Sequence, residues 1–384
     1  MMPYRNLKRY FRKALTQPLY AVRVLVARLR AAMYYYWGRG KSSFPEAITL
    51  FLTHRCNLRC KMCGQWGEAG VTKKQSQEFI RHELSLPQLK VIIDAVSPFL
   101  PNITLFGGEP LLHTGCIELI RYITQKRMHC LMITNGSMLK EHASGIIRAG
   151  LDELNISLDG NSSLHDEIRG MPGLFERIMT GIKEINRYKQ EFLTKKPFIN
   201  LQCTINAQNY LRLPEMLEVA REAHAASLTF HNLIFLDSRT LEKQKEYDRL
   251  LGCSSADWEG FVCAPGIDPG KLYAQMQKIM ANTYEFGVDF YPNFSKKSFF
   301  EYYTNPCYVP SDYPLRCLSP WIVAYIFPDG EVRPCLNCSY SFGNVLQEQF
   351  SRVWNSPKAV AYRTVLKEKG MFPVCIRCTE LYRY

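Results

Sequence analysis

Three cysteines within eight residues, Cys56-Asn57-Leu58-Arg59-Cys60-Lys61-Met62-Cys63, constrain this chain more than any other feature. The spacing is C-x3-C-x2-C, and it follows directly on the apolar run Ala47-Ile48-Thr49-Leu50-Phe51-Leu52, which reads as a strand. Three thiolates this close wrap one side of a cubane iron–sulfur cluster, which ordinarily takes four cysteine ligands. With three, one iron stays open to an exogenous ligand, an arrangement suited to chemistry rather than to electron storage. A structural zinc site takes four ligands in paired knuckles, and no fourth follows locally. A zinc knuckle or scattered core cysteines are the competing readings.

The chain has 384 residues, enough for two or three domains, and an ordinary globular composition with 22% charged residues. Half of its fourteen cysteines fall in tight C-x2-C or C-x3-C groups, with no signal peptide ahead of them. Grouped cysteines of that kind read as metal or cluster ligands in a reducing cytoplasm rather than as disulfides. Cys116, Cys130 and Cys203 sit in apolar periodic stretches and are expected in the core. The net charge of +13 is uneven: residues 1–41 hold ten Lys or Arg and no Asp or Glu. The body is therefore nearly neutral and lacks the basic stripe of a nucleic-acid-binding protein, so no nucleic-acid partner is expected.

From Pro45 onward, strand-like runs at 47–53, 102–106, 129–133, 153–157, 198–204 and 227–232 alternate with helical periodicity at 86–97, 115–127, 138–149, 173–188, 213–226 and 270–286. Six such units with right-handed crossovers predict an α/β fold with a parallel sheet or incomplete barrel. In βα barrels the ligand site forms from loops at the C-terminal ends of the strands. The unusual motifs all lie there: the cysteines after the first strand, Gly107-Gly108-Glu109-Pro110 after the second, Thr134-Asn135-Gly136 after the third and Ser157-Leu158-Asp159-Gly160 after the fourth. His165 to Gly170 follows them and includes Arg169.

These residues, in this order, resemble the radical S-adenosylmethionine (SAM) superfamily. The resemblance implies that Cys56, Cys60 and Cys63 hold a [4Fe–4S] cluster whose open iron takes the methionine end of SAM. It implies reductive cleavage of SAM to a 5′-deoxyadenosyl radical that abstracts a substrate hydrogen. It places Gly107, Gly108, Glu109 and Pro110 at the methionine ammonium, Asn135 beside the cofactor, Ser157 and Asp159 at the ribose, and Arg169 at the methionine carboxylate. The residue before the third cysteine is commonly aromatic in that family and packs on adenine; here it is Met62, whose thioether also contacts a π-face favourably. His231 reads as a core histidine, with a backbone approach to the adenine as the alternative.

A second cysteine group stands near the C-terminus. Cys317-x12-Gly330-x4-Cys335, followed by Cys375-Ile-Arg-Cys378, resembles the auxiliary-cluster extension called the SPASM or Twitch domain. Phe327-Pro328-Asp329-Gly330-Glu331-Val332 predicts a hairpin with an Asp-Gly turn that brings Cys335 back beside Cys317. Cys317, Cys335, Cys375 and Cys378 are thus the expected ligands of one auxiliary [4Fe–4S] cluster; a four-cysteine zinc site is the alternative. Cys338 and Cys307 are rivals for one ligand position, Cys338 the more serious. The full pattern continues with a further cysteine where this chain has Tyr384, so a complete second auxiliary cluster is not expected.

The expected organisation is a basic N-terminal segment (1–44), a partial (β/α)6 radical SAM core (45–236), a last core helix with connecting region (237–300) and an auxiliary-cluster domain (301–384). The leading functional reading is an enzyme that modifies an unreactive C–H bond of an unknown organic substrate, with a lipid, lipid-linked glycan or sugar favoured. It would draw electrons from a flavodoxin- or ferredoxin-type partner, and the auxiliary cluster would accept one from the substrate radical. A peptide maturase and a non-catalytic iron–sulfur electron carrier are the alternatives. No catalytic side chain is named. In the N-terminal segment Leu15, Leu19, Val22, Val26, Leu29 and Met33 recur at helical spacing, Pro18 starts the helix after Thr16, and Tyr34-Tyr35-Tyr36-Trp37 end it. Two readings stand: the helix lies on the inner face of the membrane among anionic lipids, or it packs on the barrel.

Overall fold

The computed structural model describes residues 14–15 and 18–384, apart from the side chain of Leu19. Thr16, the Leu19 side chain and the five basic residues before Ala14 therefore lie outside the described residues. Among the described residues, ten strands form one sheet: β1 (Ala47–Phe51), β2 (Asn102–Phe106), β3 (Cys130–Thr134), β4 (Glu153–Ser157), β5 (Phe198–Thr204), β6 (Ser227–His231), β7 (Gly287–Tyr291), β8 (Val323–Ile326), β9 (Glu331–Arg333) and β10 (Gly343–Asn344). The helices of two turns or more are α1 (Pro18–Trp37), α2 (Leu86–Val96), α3 (Cys116–Gln125), α4 (Leu139–Ala149), α5 (Ser162–Arg169), α6 (Leu174–Glu191), α7 (Glu215–Glu222), α8 (Ser238–Leu251), α9 (Pro269–Met280), α10 (Lys296–Thr304) and α11 (Pro357–Lys369).

Sheet order is β10-β9-β8-β1-β2-β3-β4-β5-β6-β7, with β1 to β7 parallel and the two ends not joined. This is the open, partial barrel expected. Two features extend it. The stretch 270–286, expected as one helix, ends at Met280, and 287–291 is a seventh parallel strand with Thr229 opposite Asp289. An acidic residue at the centre of Gly287-Val-Asp-Phe-Tyr hides that strand from an apolar-run reading. The C-terminal hairpin also turns at Asp329-Gly330 as expected, with Gly330 at φ +82°, but β8 then pairs in parallel with β1. Backbone hydrogen bonds therefore run without interruption from the cluster-bearing core into the segment that carries the second cysteine group.

The pleat sorts the side chains of the middle strands into two sets. Leu154, Ile156, Ile199, Leu201, Cys203, Leu228 and Phe230 point to the helical layer and are buried with Ile146, Ile178, Ile182 and Ile185. Cys116 and Cys130 lie in the same core. The alternate positions are polar and register with one another: Asn155 opposite Asn200, Ser157 opposite Gln202, Thr204 opposite His231 and Thr229 opposite Asp289. A sheet face built this way repels an apolar covering layer and presents amides, hydroxyls and a carboxylate.

Helix starts follow their caps. Ser85 and Gln88 form a capping box at α2, with the Ser85 N–H donating to Gln88 Oε1 at 2.9 Å, and Leu89, Ile92, Ile93 and Val96 form its buried face. The Asp268 carboxylate accepts from the N–H groups of Gly270 and Lys271 to start α9.

Candidate iron–sulfur and cofactor site

The loop carrying Cys56, Cys60 and Cys63 has little regular structure and is held from outside. The Thr53 carbonyl accepts from Gly108 N–H at 2.7 Å, and the Arg55 carbonyl accepts from Glu109 N–H at 2.9 Å. A Cβ on Gly107, which has φ +145°, would lie 2.5 Å from Thr53 O, and one on Gly108 would lie 2.1 Å from Arg55 O. The close approach that demands glycine here is between the end of β2 and the cysteine loop. On the other side, Lys61 N–H donates to Ile168 O at 3.0 Å, and Lys61 Nζ lies 3.0 Å from Glu167. Arg59 stacks 4.2 Å over Trp66, whose indole N–H donates to His54 O at 2.8 Å.

Two buried carboxylates join neighbouring strand ends. Glu109 accepts from Leu111 N–H (3.1 Å) and the Thr134 hydroxyl (2.7 Å) through one oxygen, and from Asn135 N–H (2.7 Å) through the other. Burial pushes its carboxyl up to about 7, against the pull of those three hydrogen bonds. Asp159 is 0% exposed, accepts from Thr204 N–H at 2.8 Å and pairs with Arg169 Nε at 2.6 Å. Burial alone would lower the Arg169 pKa, but the Asp159 carboxylate and Cys60 raise it above its ordinary value. Both carboxylates thus lie inside the site's wall, engaged by protein donors, while Ser157 and Met62 remain half-buried.

Each of the three cysteines meets an N–H donor. Asn135 Nδ2 lies 3.9 Å from Cys56 Sγ, Arg169 Nη1 3.7 Å from Cys60 Sγ, and Trp66 N 3.4 Å from Cys63 Sγ. The Asn135 amide also donates to Asn57 Oδ1 at 2.9 Å, tying the end of β3 to the loop. Burial nevertheless pushes the Cys56 thiol up to about 11 and raises that of Cys60. Thiolates here therefore want a cationic partner beyond what these side chains supply, and a metal cluster provides one.

The second cysteine group lines a single cavity with about 570 Å³ of empty space, part of it open to solvent. Cys317, Cys335, Cys375 and Cys378 are there, joined by Cys338 and by Cys253 at the end of α8. Tyr362, Leu366, Phe372 and Leu381 close the cavity with apolar surface. Burial pushes the Cys375 thiol up to about 11 and the Cys317 and Cys378 thiols well up. Cys307 is exposed and does not line the cavity. Cys253 has no motif around it. Only the fold brings it in: Ser254 N–H donates to the Ser339 hydroxyl at 2.8 Å, Ser339 N–H donates to Ser254 O at 2.9 Å, and Cys253 Sγ then lies 3.9 Å from Cys338 Sγ. A smaller cavity, lined by Gly64 and Gln65 on one side and Leu336 and Asn337 on the other, lies between the two cysteine loops.

Residues 50–195 match the profile of the Radical SAM superfamily, and residues 317–379 match an iron–sulfur cluster-binding domain, SPASM. The chain thus carries a radical SAM domain and a SPASM domain. It is 31% identical over 212 residues to the Fe-coproporphyrin III synthase of Methanosarcina barkeri, covering 52% of this chain and 49% of that protein. It is 26% identical over 328 residues to the AdoMet-dependent heme synthase of Oleidesulfovibrio alaskensis, covering 79% and 72%. The chain spans about half the length of the first of these relatives. In fold it resembles Streptococcus suis SuiB bound to precursor peptide SuiA, with a TM-score of 0.59 at 14% identity over 92% of this chain and 79% of that one.

A radical SAM domain carries a [4Fe–4S] cluster that binds SAM, and a SPASM domain carries auxiliary iron–sulfur clustering; the donor sets described here fit both. The three loop thiols are soft ligands facing N–H donors, and the second cavity offers six sulfurs where a cubane takes four.

Glu109→Ala is expected to lower stability by at least about 3 kcal/mol, because it strips the acceptor from three donors at about 1–3 kcal/mol each. Anaerobic urea denaturation measures this. Arg169→Ala is expected to weaken SAM binding tenfold or more with cluster iron unchanged, read by anaerobic equilibrium binding and iron analysis; unchanged affinity would move the carboxylate partner elsewhere. Replacing both Cys375 and Cys378 with Ala is expected to halve the iron from about eight to about four per chain. Replacing Cys253 with Ala is expected to leave it at about eight.

Proposed function

We propose that the chain is a radical SAM enzyme that modifies an unreactive C–H bond of an organic substrate, with one auxiliary cluster as the electron acceptor. The observation that carries this reading is the meeting of four strand ends on one loop: Cys56, Cys60 and Cys63 against Asn135 and Arg169, locked by Glu109 and Asp159. The bound cluster and SAM supply the chemistry, a one-electron cleavage of the sulfonium that yields a 5′-deoxyadenosyl radical. The chain's part is to bind, orient and shield. Arg169, fixed by Asp159, offers a planar cation to the methionine carboxylate, with Ser157 and Met62 at the nucleoside. Cys317, Cys335, Cys375 and Cys378 hold the auxiliary cluster, one cavity away from the SAM-binding loop. A flavodoxin- or ferredoxin-type protein delivers the reducing electron.

The polar sheet face supports the substrate class. Asn155, Asn200, Gln202, Thr204 and His231 present amide, hydroxyl and imidazole groups in register, with the Asp289 carboxylate on the same face, which suits a hydroxyl-rich group such as a sugar or the head of a lipid-linked glycan. His231 Nε2 lies 2.6 Å from Gln202 Oε1, so the histidine is part of that face rather than of the apolar core. A peptide substrate is the second reading. An electron carrier takes four cysteines to its cluster and has no use for a three-cysteine loop that leaves one iron open.

Anaerobic reconstitution with dithionite and SAM is expected to release 5′-deoxyadenosine. Replacing Cys56, Cys60 and Cys63 together with Ala is expected to abolish that release and leave about four irons per chain. Release by the triple variant would overturn the reading. Comparing lipid and glycan extracts of a deletion strain with wild type tests the substrate class, and a change confined to a peptide product would favour the second reading.

A further inference from the structure

Helix α1 carries two opposed faces. Val24, Ala31 and Tyr35 are buried against the body, Tyr35 edge-on to Trp321 at 5.0 Å. Arg28 joins that face, pairing with Glu46 at 2.8 Å and lying 5.0 Å over the Tyr384 ring. The helix crosses the N-terminal ends of the strands, where Glu46 precedes β1 and Tyr20 meets His129, just ahead of β3, at 4.6 Å between ring centroids. The stripe that helical spacing marks as apolar is on the other side. Val22 is 60% exposed, Leu29 62% and Trp37 76%, with Leu25, Val26, Met33 and Tyr36 exposed between them. Leu15 is exposed as well. Of the three arginines on α1, Arg28 is turned into the protein, whereas Arg23 and Arg30 are exposed along one flank of the stripe.

We propose that this stripe docks the protein on an anionic lipid surface, with α1 lying in the plane of the headgroups. Charge complementarity selects that occupant over a second copy of the chain. Residues 1–41 hold ten Lys or Arg and no acid, so two such segments brought face to face repel, while an anionic bilayer attracts each. The side chains have the matching division of labour: aliphatic residues for the acyl boundary, Tyr36 and Trp37 for the interface, and arginines that bury their stems and keep their heads among phosphates. Among the described residues no helix is long and apolar enough to cross a membrane, so the contact is peripheral. The membrane then faces the N-terminal ends of the strands, opposite the cysteine loop. The contact goes beyond the proposed reaction and does not rest on it, since the docking face lies at the other end of the strands from the SAM-binding loop.

The test is flotation of the reconstituted full-length protein with vesicles of phosphatidylcholine alone or of phosphatidylcholine mixed with anionic phosphatidylglycerol. Flotation is expected with the anionic vesicles at low salt, and weaker flotation at high salt. Replacing Val22, Leu25, Leu29 and Met33 with Gln is expected to abolish it. Replacing Arg23 and Arg30 with Gln is expected to weaken it on the order of 30-fold. Both variants are expected to release 5′-deoxyadenosine at the wild-type rate. A soluble wild-type protein, equal flotation with neutral vesicles, or a dimer that the Gln variant converts to monomer by light scattering would each overturn the proposal. Normal SAM cleavage beside any of these would leave the enzymatic reading standing, whereas flotation without cleavage would separate the two the other way.

Discussion

The arrangement of the molecule depends on a loop that cannot hold its own shape. Three thiols have to face one point, yet the segment from Thr53 to Cys63 has almost no regular hydrogen bonding within itself. Its geometry is imposed by neighbours: two backbone hydrogen bonds from Gly108 and Glu109, an amide from Asn135, and the backbone of α5 at Ile168. Glu109 and Asp159 make those neighbours rigid by spanning adjacent strand ends with buried carboxylates. A buried carboxylate is costly unless fully engaged, and these two are engaged by donors that come from four different strand ends or loops. The site is therefore preorganised by groups that need never touch the substrate.

The second consequence is continuity. Because β8 pairs with β1 in the main sheet, the auxiliary cysteines are attached to the strand that leads directly into the first cysteine loop. Their relative position is set by backbone hydrogen bonds and not by a flexible linker, which suits electron transfer between fixed centres. The six sulfurs of the auxiliary cavity come from four separate stretches of chain. The clamp between Ser254 and Ser339 brings Cys253 to Cys338, giving the cavity two thiols beyond the four that a cubane takes.

The N-terminal helix meets the packing expectation. It packs on the body, but through Val24, Arg28, Ala31 and Tyr35, and leaves its more apolar stripe exposed. A helix wedged only into the core would show the reverse, since burial of the larger apolar area stabilises packing most. The apolar periodicity marked the stripe, while the face turned to the body is the one that carries Val24, Ala31, Tyr35 and the Arg28–Glu46 pair.

Much of this was legible in the residues themselves. Cysteine spacing, the Gly-Gly-Glu-Pro turn and the alternation of strands and helices are local patterns, and the chemistry of three neighbouring thiols does not wait on a fold. The hairpin turn at Asp329-Gly330 was local as well, because φ +82° at a glycine is a property of four residues. What lay beyond reach was set by contacts between distant segments. Strand β7 interrupts its apolar run with Asp289 because one face of the sheet is polar, a fact visible only once Thr229 stands opposite it. Glycines 107 and 108 are needed by the carbonyls of Thr53 and Arg55, about fifty residues away in the chain. Cys253 has no motif around it and reaches Cys338 only through packing. The sequence by itself determined which chemical groups the protein has and how each short segment folds; tertiary structure decided which of them meet, because meeting depends on registers and faces that no short window contains.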